Sequence, residues 1–307
     1  MKLLVAAALA LAPLAAAAQD PLFRQKGDAA PRAGEATKDV VRASEWPAIP
    51  ADKAATVKTD IERLRKAGTP EMAEQADAAL VSAGAMVAPG LIAAMGKERN
   101  VEARLRIEAV LDRVTGAEHT RLLAPYFADK SRDVRTWALA RCAAFPDREL
   151  AKGAQDALGK ARAALAKDEK LEGGEAELYA AALCATAAGS HEGLDVLGRT
   201  AVTEWGKKGV EIRAALAGVR DGESTKFALD MLAKDDRKQK VAALHLLAGC
   251  GTQDALAAVK RELDSTDNSI RIAAINAMRG IVDGDLPIAN LPVFEAIELA
   301  KKWKERG

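Results

Sequence analysis

Large aromatic side chains are scarce: five Phe, four Trp and two Tyr make up 4% of 307 residues. Facing β-sheets need bulky side chains between them, so this scarcity counts against a sandwich. Alanine is abundant instead, which favours helices and lets them approach closely. The composition therefore points to an all-α chain. Charge of one sign is not in excess either, with 45 Lys and Arg against 44 Asp and Glu. A balanced chain has no global field to gather DNA, RNA or an anionic membrane. Cysteine is limited to Cys142, Cys184 and Cys250. An odd number argues against a disulfide framework and leaves room for one internal bridge at most.

The first 18 residues read as a signal peptide. Lys2 gives a short positive start, Leu3 to Leu14 is apolar, and Ala16, Ala17 and Ala18 precede Gln19 in a small-residue cleavage pattern. No Cys follows the apolar run and no twin Arg precedes it, so neither a lipoprotein anchor nor a twin-arginine signal is indicated. The expectation is export to the periplasm or cell exterior. No later stretch reads as 18 consecutive uncharged apolar residues, so the remainder is expected to be soluble. Residues 19–50 form a Pro-rich lead, interrupted by Pro21, Pro31, Pro47 and Pro50. Trp46 and Ile49 stand out in it, either docking on the first helices as an N-terminal cap or serving as a recognition element.

From Ala51 the pattern is helical and repeats. Leu80, Leu111, Cys142, Ala185, Leu216, Leu247 and Met278 occupy equivalent positions at spacings of 31, 31, 43, 31, 31 and 31. The exception is longer by 12 residues, which assigns an insertion to the charged, Ala-rich stretch from Gly159 to Gly174. The residue four before and the residue three after each anchor are apolar in all seven copies. These three positions share one helix face, so each copy has a buried stripe. Twelve residues past the first six anchors come Ile92, Leu123, Ala154, Leu197, Ala228 and Val259, marking a second helix. N-caps are expected at Asp147, Ser190 and Thr252 for second helices, and at Asp133 and Asn268 or Ser269 for first helices. The unit is helix, tight turn, helix, tight turn. One pair cannot bury its face alone, so the expected fold for residues 51–307 is an α-solenoid of stacked pairs. Pro292 to Trp303, with Phe294, Ile297 and Trp303 near one face, is expected to cap its end.

The segments DVRTWALARCAAFPDREL, KQKVAALHLLAGCGTQDAL and NSIRIAAINAMRGIVDGDL resemble HEAT-type repeats. The short period is similar to the HEAT-like subclass first named from phycobilisome lyases, and ALVSAGAMVAPGLIAAM resembles that family's helix-turn-helix. The resemblance covers residues 51–307. It implies a HEAT/armadillo-like superhelix and is silent on function, because such folds serve unrelated tasks.

Sites of chemistry are sparse. His119, His191 and His245 are far apart in sequence, and no HExxH, CxxC or CxxH groups metal ligands, so no metal is expected. There is no GxSxG elbow and no phosphate-cradling GxxxxGK[ST]; Gly173 and Gly174 are flanked by Glu172 and Glu175. The three Cys fall on or beside the buried stripe and read as small core hydrophobes. A Cys142–Cys184 bridge is not expected, since packed helix axes lie about 8–10 Å apart. Seven residues before four of the anchors stand Arg104, Arg135, Lys240 and Arg271, a basic ladder. It either presents an anion-binding stripe or pairs with acids of the same or next copy. Tyr126, Trp205 and Trp46 are further candidate binding residues if exposed. The functional expectation is a non-enzymatic scaffold, without cofactor, that binds another protein or peptide. A polyanion or nucleic-acid binder using the ladder and a lyase-like HEAT enzyme are the alternatives.

Overall fold

The computed structural model describes residues 40–306; the expected signal peptide and most of the expected lead lie outside the described residues. Among the described residues there are thirteen α-helices, several short 3₁₀ segments and no strand. In chain order the helices are α1 (Ala54–Lys66), α2 (Pro70–Ala83), α3 (Ala88–Met95), α4 (Val101–Val114), α5 (Arg132–Ala144), α6 (Ala151–Lys167), α7 (Gly174–Ala187), α8 (Leu194–Leu216), α9 (Gly222–Leu232), α10 (Arg237–Cys250), α11 (Leu256–Glu262), α12 (Asn268–Val282) and α13 (Val293–Glu305).

The anchor register holds in three dimensions. All seven anchors are buried, as are all seven residues four positions before them and all six second-helix markers. Three residues past the anchors, Ala83 and Phe145 are half-buried and the others fully buried. Each anchor sits in the first helix of its copy: α2, α4, α5, α7, the second half of α8, α10 and α12. First helices neighbour one another in order, with α5 on α7, α7 on α8, α8 on α10 and α10 on α12. Side chains tie α4 to α5, where Arg141 Nε donates to Thr115 O at 3.1 Å and Trp137 Nε1 to Asp112 Oδ1 at 3.0 Å. The 12-residue insertion lengthens α6 to 17 residues, against 8 in α3, and adds the loop that leads to α7.

Four local expectations are corrected. The tight turn between the fourth and fifth copies is missing: two helices abut within α8 at Glu204, whose φ of −129° and ψ of 17° mark a kink. In the second copy the second element is a 3₁₀ segment, Ala117–Ala128, in place of an α-helix. Pro125 accounts for this, because it lacks an N–H and its ring would meet the carbonyl four residues back. First-helix caps lie one or two residues earlier than expected, at Ser131 and Asp267; Asp267 accepts from the Ser269 and Ile270 amides. In α13 the packed face is Ala296, Ala300 and Trp303, while Phe294 and Ile297 are exposed. Ala296 and Ala300 let the helix approach α12 closely, with Trp303 packed at its far end, while Phe294 and Ile297 are turned outward.

The expectation about uncharged stretches is also corrected. No charge falls between Asp77 and Lys97, and the helical stretch Pro70–Met95 has a mean hydropathy of 1.9 over its most apolar window, enough to cross a membrane by length and composition. Gly84 interrupts it with φ of 74°, in the left-handed region that side chains avoid. Leu80, Leu91, Ile92 and Met95 are buried in the helical body on either side of that break.

Two residues past the last three consecutive Leu or Met anchors stand Gly218, Gly249 and Gly280. A Cβ on Gly280 would collide with Ala248 O of α10, one on Gly249 would meet Leu216 Cβ at 3.0 Å, and one on Gly218 would collide with backbone oxygens at the end of α7. Backbones meet there because no side chain intervenes. Helix propensity alone favours Gly280→Ala by about 1 kcal/mol. Overpacking against a backbone carbonyl outweighs that gain, so a net loss of about 1–2 kcal/mol is expected in urea denaturation. A more stable variant would show that α10 and α12 can separate freely.

Candidate interaction face

The basic ladder is paired within the protein. Arg104 Nη1 donates to Asp133 Oδ2 of the next copy at 3.0 Å, and Glu108 lies 3.7 Å from its Nε. Arg135 grips Glu177 with two bonds, Nε to Oε1 at 2.5 Å and Nη2 to Oε2 at 3.0 Å, and donates to Asp129 O at 2.7 Å. Lys240 Nζ is 3.9 Å from Glu262. Arg271 donates to Ser265 O at 2.6 Å and weakly to Asn268. The ladder joins elements within and between copies, and its guanidinium hydrogens point at protein acceptors.

The aromatic candidates are half-buried and pack on the core. Tyr126 lies in the 3₁₀ segment with its phenol pushed above its ordinary pKa by burial and then Asp129. Trp46 does not cap the first helices. It stacks on His119, at the start of the second copy's second element, with ring centroids 5.4 Å apart. Trp205 stacks almost parallel on His245 of α10, centroids 4.3 Å apart. Its ring lies over Gly209, where a Cβ would stand 2.8 Å from the indole. That contact explains why glycine interrupts the ladder at this position. Burial lowers His245 to a pKa of about 4, so the ring is neutral near pH 7.

A row one residue further along the first helices went unread in the sequence. Six residues before the anchors stand Glu74, Leu105, Thr136, Tyr179, Val210, Val241 and Ile272. Leu105 is 56% and Val210 77% exposed, and the four from Thr136 to Ile272 other than Val210 are half-buried. From α5 onward the first helices pack in sequence order, so Thr136, Tyr179, Val210, Val241 and Ile272 lie on successive neighbours; Leu105 lies on α4, which side-chain bonds tie to α5. Tyr179 is held in the row by Glu211, which accepts from its hydroxyl at 3.1 Å, and by Lys208, whose Nζ sits 4.1 Å from the ring centroid. Lys208 is in turn 3.2 Å from Glu204. Burial first and Glu211 next push the Tyr179 phenol far above its ordinary pKa, so it stays a protonated donor. The signal for the row was present at the same period as the core; Tyr179, Val241 and Ile272 pack partly on that core, while Leu105 and Val210 are mostly exposed.

The thiols are core residues. Cys142, Cys184 and Cys250 are free and buried. Burial raises the Cys142 thiol well above its ordinary pKa, with Cys184 alongside, and raises Cys250 to about 12. Thiolate is the reactive form, so both are held in the unreactive state. Among the described residues no group of three or more His, Cys, Asp or Glu gathers as a metal site. Compared with known proteins, the chain matches no protein-family model and no curated protein.

Proposed function

We propose that the chain is a HEAT-like α-solenoid, exported by its N-terminal segment, whose first-helix row binds another protein and which carries out no reaction itself. The observation that carries this reading is the row from Leu105 to Ile272, with Leu105 and Val210 more than half exposed on otherwise solvated helix faces. Apolar side chains repeated on adjacent helices offer an extended surface, and Tyr179 and Trp205 beside them supply large amphipathic anchors of the kind that dominate interface energetics. Lys208, Glu204 and Glu211 give the row a polar rim. Stacked helix pairs accommodate such surfaces because each copy adds one more side chain at the same height. The ladder supports this reading over a polyanion binder, since its cations already face acids or carbonyl oxygens.

Site-specific photo-crosslinking tests it. A photoreactive residue at position 105 or 210 should capture the same partner from the cell-envelope fraction of the source cells. One at the exposed position 192 should not. Val210→Asp should remove the adduct formed at position 105. Capture of the same species from position 192, or indifference to Val210→Asp, would sink the proposal.

A further inference from the structure

The end of the lead docks as a peptide without regular structure that bends at Ser44 and Glu45. Arg42 and Trp46 face the protein, while Val41, Ser44 and Glu45 are exposed. The Arg42 guanidinium is enclosed: Nη1 donates to Ala117 O, Nη2 lies 3.5 Å from Pro146 O, and Nε is 3.3 Å from Asp147 Oδ2. Its side chain is 12% exposed and that of Asp147 7%. Asp147 was already placed for other work. It caps the start of the third copy's second element through the Glu149 amide, and it accepts from Arg121 Nε at 2.7 Å. Between the two anchors, Ala43 N–H donates to Glu118 O at 2.8 Å. Trp46 lies on His119, whose Nδ1 accepts from the Gly116 amide at 3.1 Å and so fixes the ring under the indole.

This arrangement has the parts of a peptide-recognition site: a buried carboxylate and carbonyl cage for a guanidinium, a backbone acceptor, and a flat ring four residues further on. Arg220 clamps Gly251, Gly280 and Ile281 oxygens in a similar way, but it leaves from the end of a buried helix. Arg42 instead belongs to a segment without regular structure, joined to the body at α1. We propose that the surface formed by Gly116–His119 and Pro146–Asp147 is a binding site for a bent segment of a partner protein carrying Arg and, four residues later, an aromatic ring. The chain's own Arg42–Trp46 occupies it in cis. This surface is separate from the first-helix row, and the two proposals fail separately.

The test uses the full chain with Arg42→Ala and Trp46→Ala, which empties the site, and a synthetic peptide of residues 40–50. A tethered ligand acts at an effective concentration in the millimolar range, so the peptide should bind the double variant about 10- to 100-fold more tightly than the wild type. Peptides with Arg42→Ala or Trp46→Ala should not bind. A folded double variant that ignores the wild-type peptide would overturn the proposal. Should the variant not fold, hydrogen exchange of the wild-type Ala43 amide decides. Exchange at least about 100-fold faster than that of Ile107 supports a segment that opens locally; exchange at the rate of global unfolding refutes it. Concentration-dependent dimers held by exchanged leads would assign the site to self-association and overturn the partner reading.

Discussion

Replacing Glu177 with alanine is expected to cost about 2–3 kcal/mol, the low end of what breaking a buried ion pair costs, because its partners keep some solvent. Glu177 lies in the first turn of α7 and is 6% exposed. Two guanidiniums from α5 converge on it: Arg135 through two bonds, and Arg132 Nε at 3.1 Å. Arg132 also donates to Glu172 O at the end of the inserted loop. The carboxylate therefore seals the one junction where the 31-residue period is broken. Without it, two half-buried cations lose their acceptor while remaining desolvated, and the amide-bearing end of α7 loses a favourable negative charge. Glu177→Gln keeps the volume and one acceptor oxygen, so its loss should be roughly half as large. Urea denaturation measures both. A Glu177→Ala cost below about 0.5 kcal/mol would place the junction among ordinary surface ion pairs.

The second large effect is a loss of stability on acidification that passes through His245. Burial under Trp205 lowers its pKa from 6.5 to about 4. The unfolded chain therefore binds the proton more readily than the folded one between those values. Stability from this group is complete above pH 6.5, falls as the pH drops, and is lost by about pH 4. A shift of this size is worth about 3 kcal/mol. Wild type and His245→Gln, compared by urea denaturation at pH 7 and pH 4, should differ in their acid-induced loss by that amount. Trp205 fluorescence should change over the same range, because imidazolium quenches a stacked indole. If the two proteins lose stability in parallel, the ring is solvated and the stack is loose.

Much of the fold was legible because it is periodic. The apolar stripe repeats in every copy, and all but Ala83 and Phe145 of the side chains it names are buried in the structure, down to the small anchors Cys142 and Ala185. The insertion was legible for the same reason, as a single step of 43. The candidate face was legible in part. The ladder was visible as a column of cations, but a column does not say where its partners stand. Asp133, Glu177 and Glu262 come from different elements, and only their convergence shows that the cations are engaged. The row with Leu105 and Val210 lies on the same helices, yet it escapes a search for buried apolar positions because those two residues are mostly exposed and the others only half-buried.

Periodicity determined which residues enter helices and which helix face is buried, since both follow from spacing along one chain. Tertiary structure decided the contacts between residues distant in sequence, which spacing does not encode. It put Trp46 on His119 and Arg42 on Asp147, where the sequence left a cap on the first helices and a recognition element as alternatives for Trp46. It turned Phe294 outward and put Ala296, Ala300 and Trp303 inward, because the facing helix fixes which rotation of α13 packs. It also converted Gly280 from a helix-weakening residue into the point where two backbones meet.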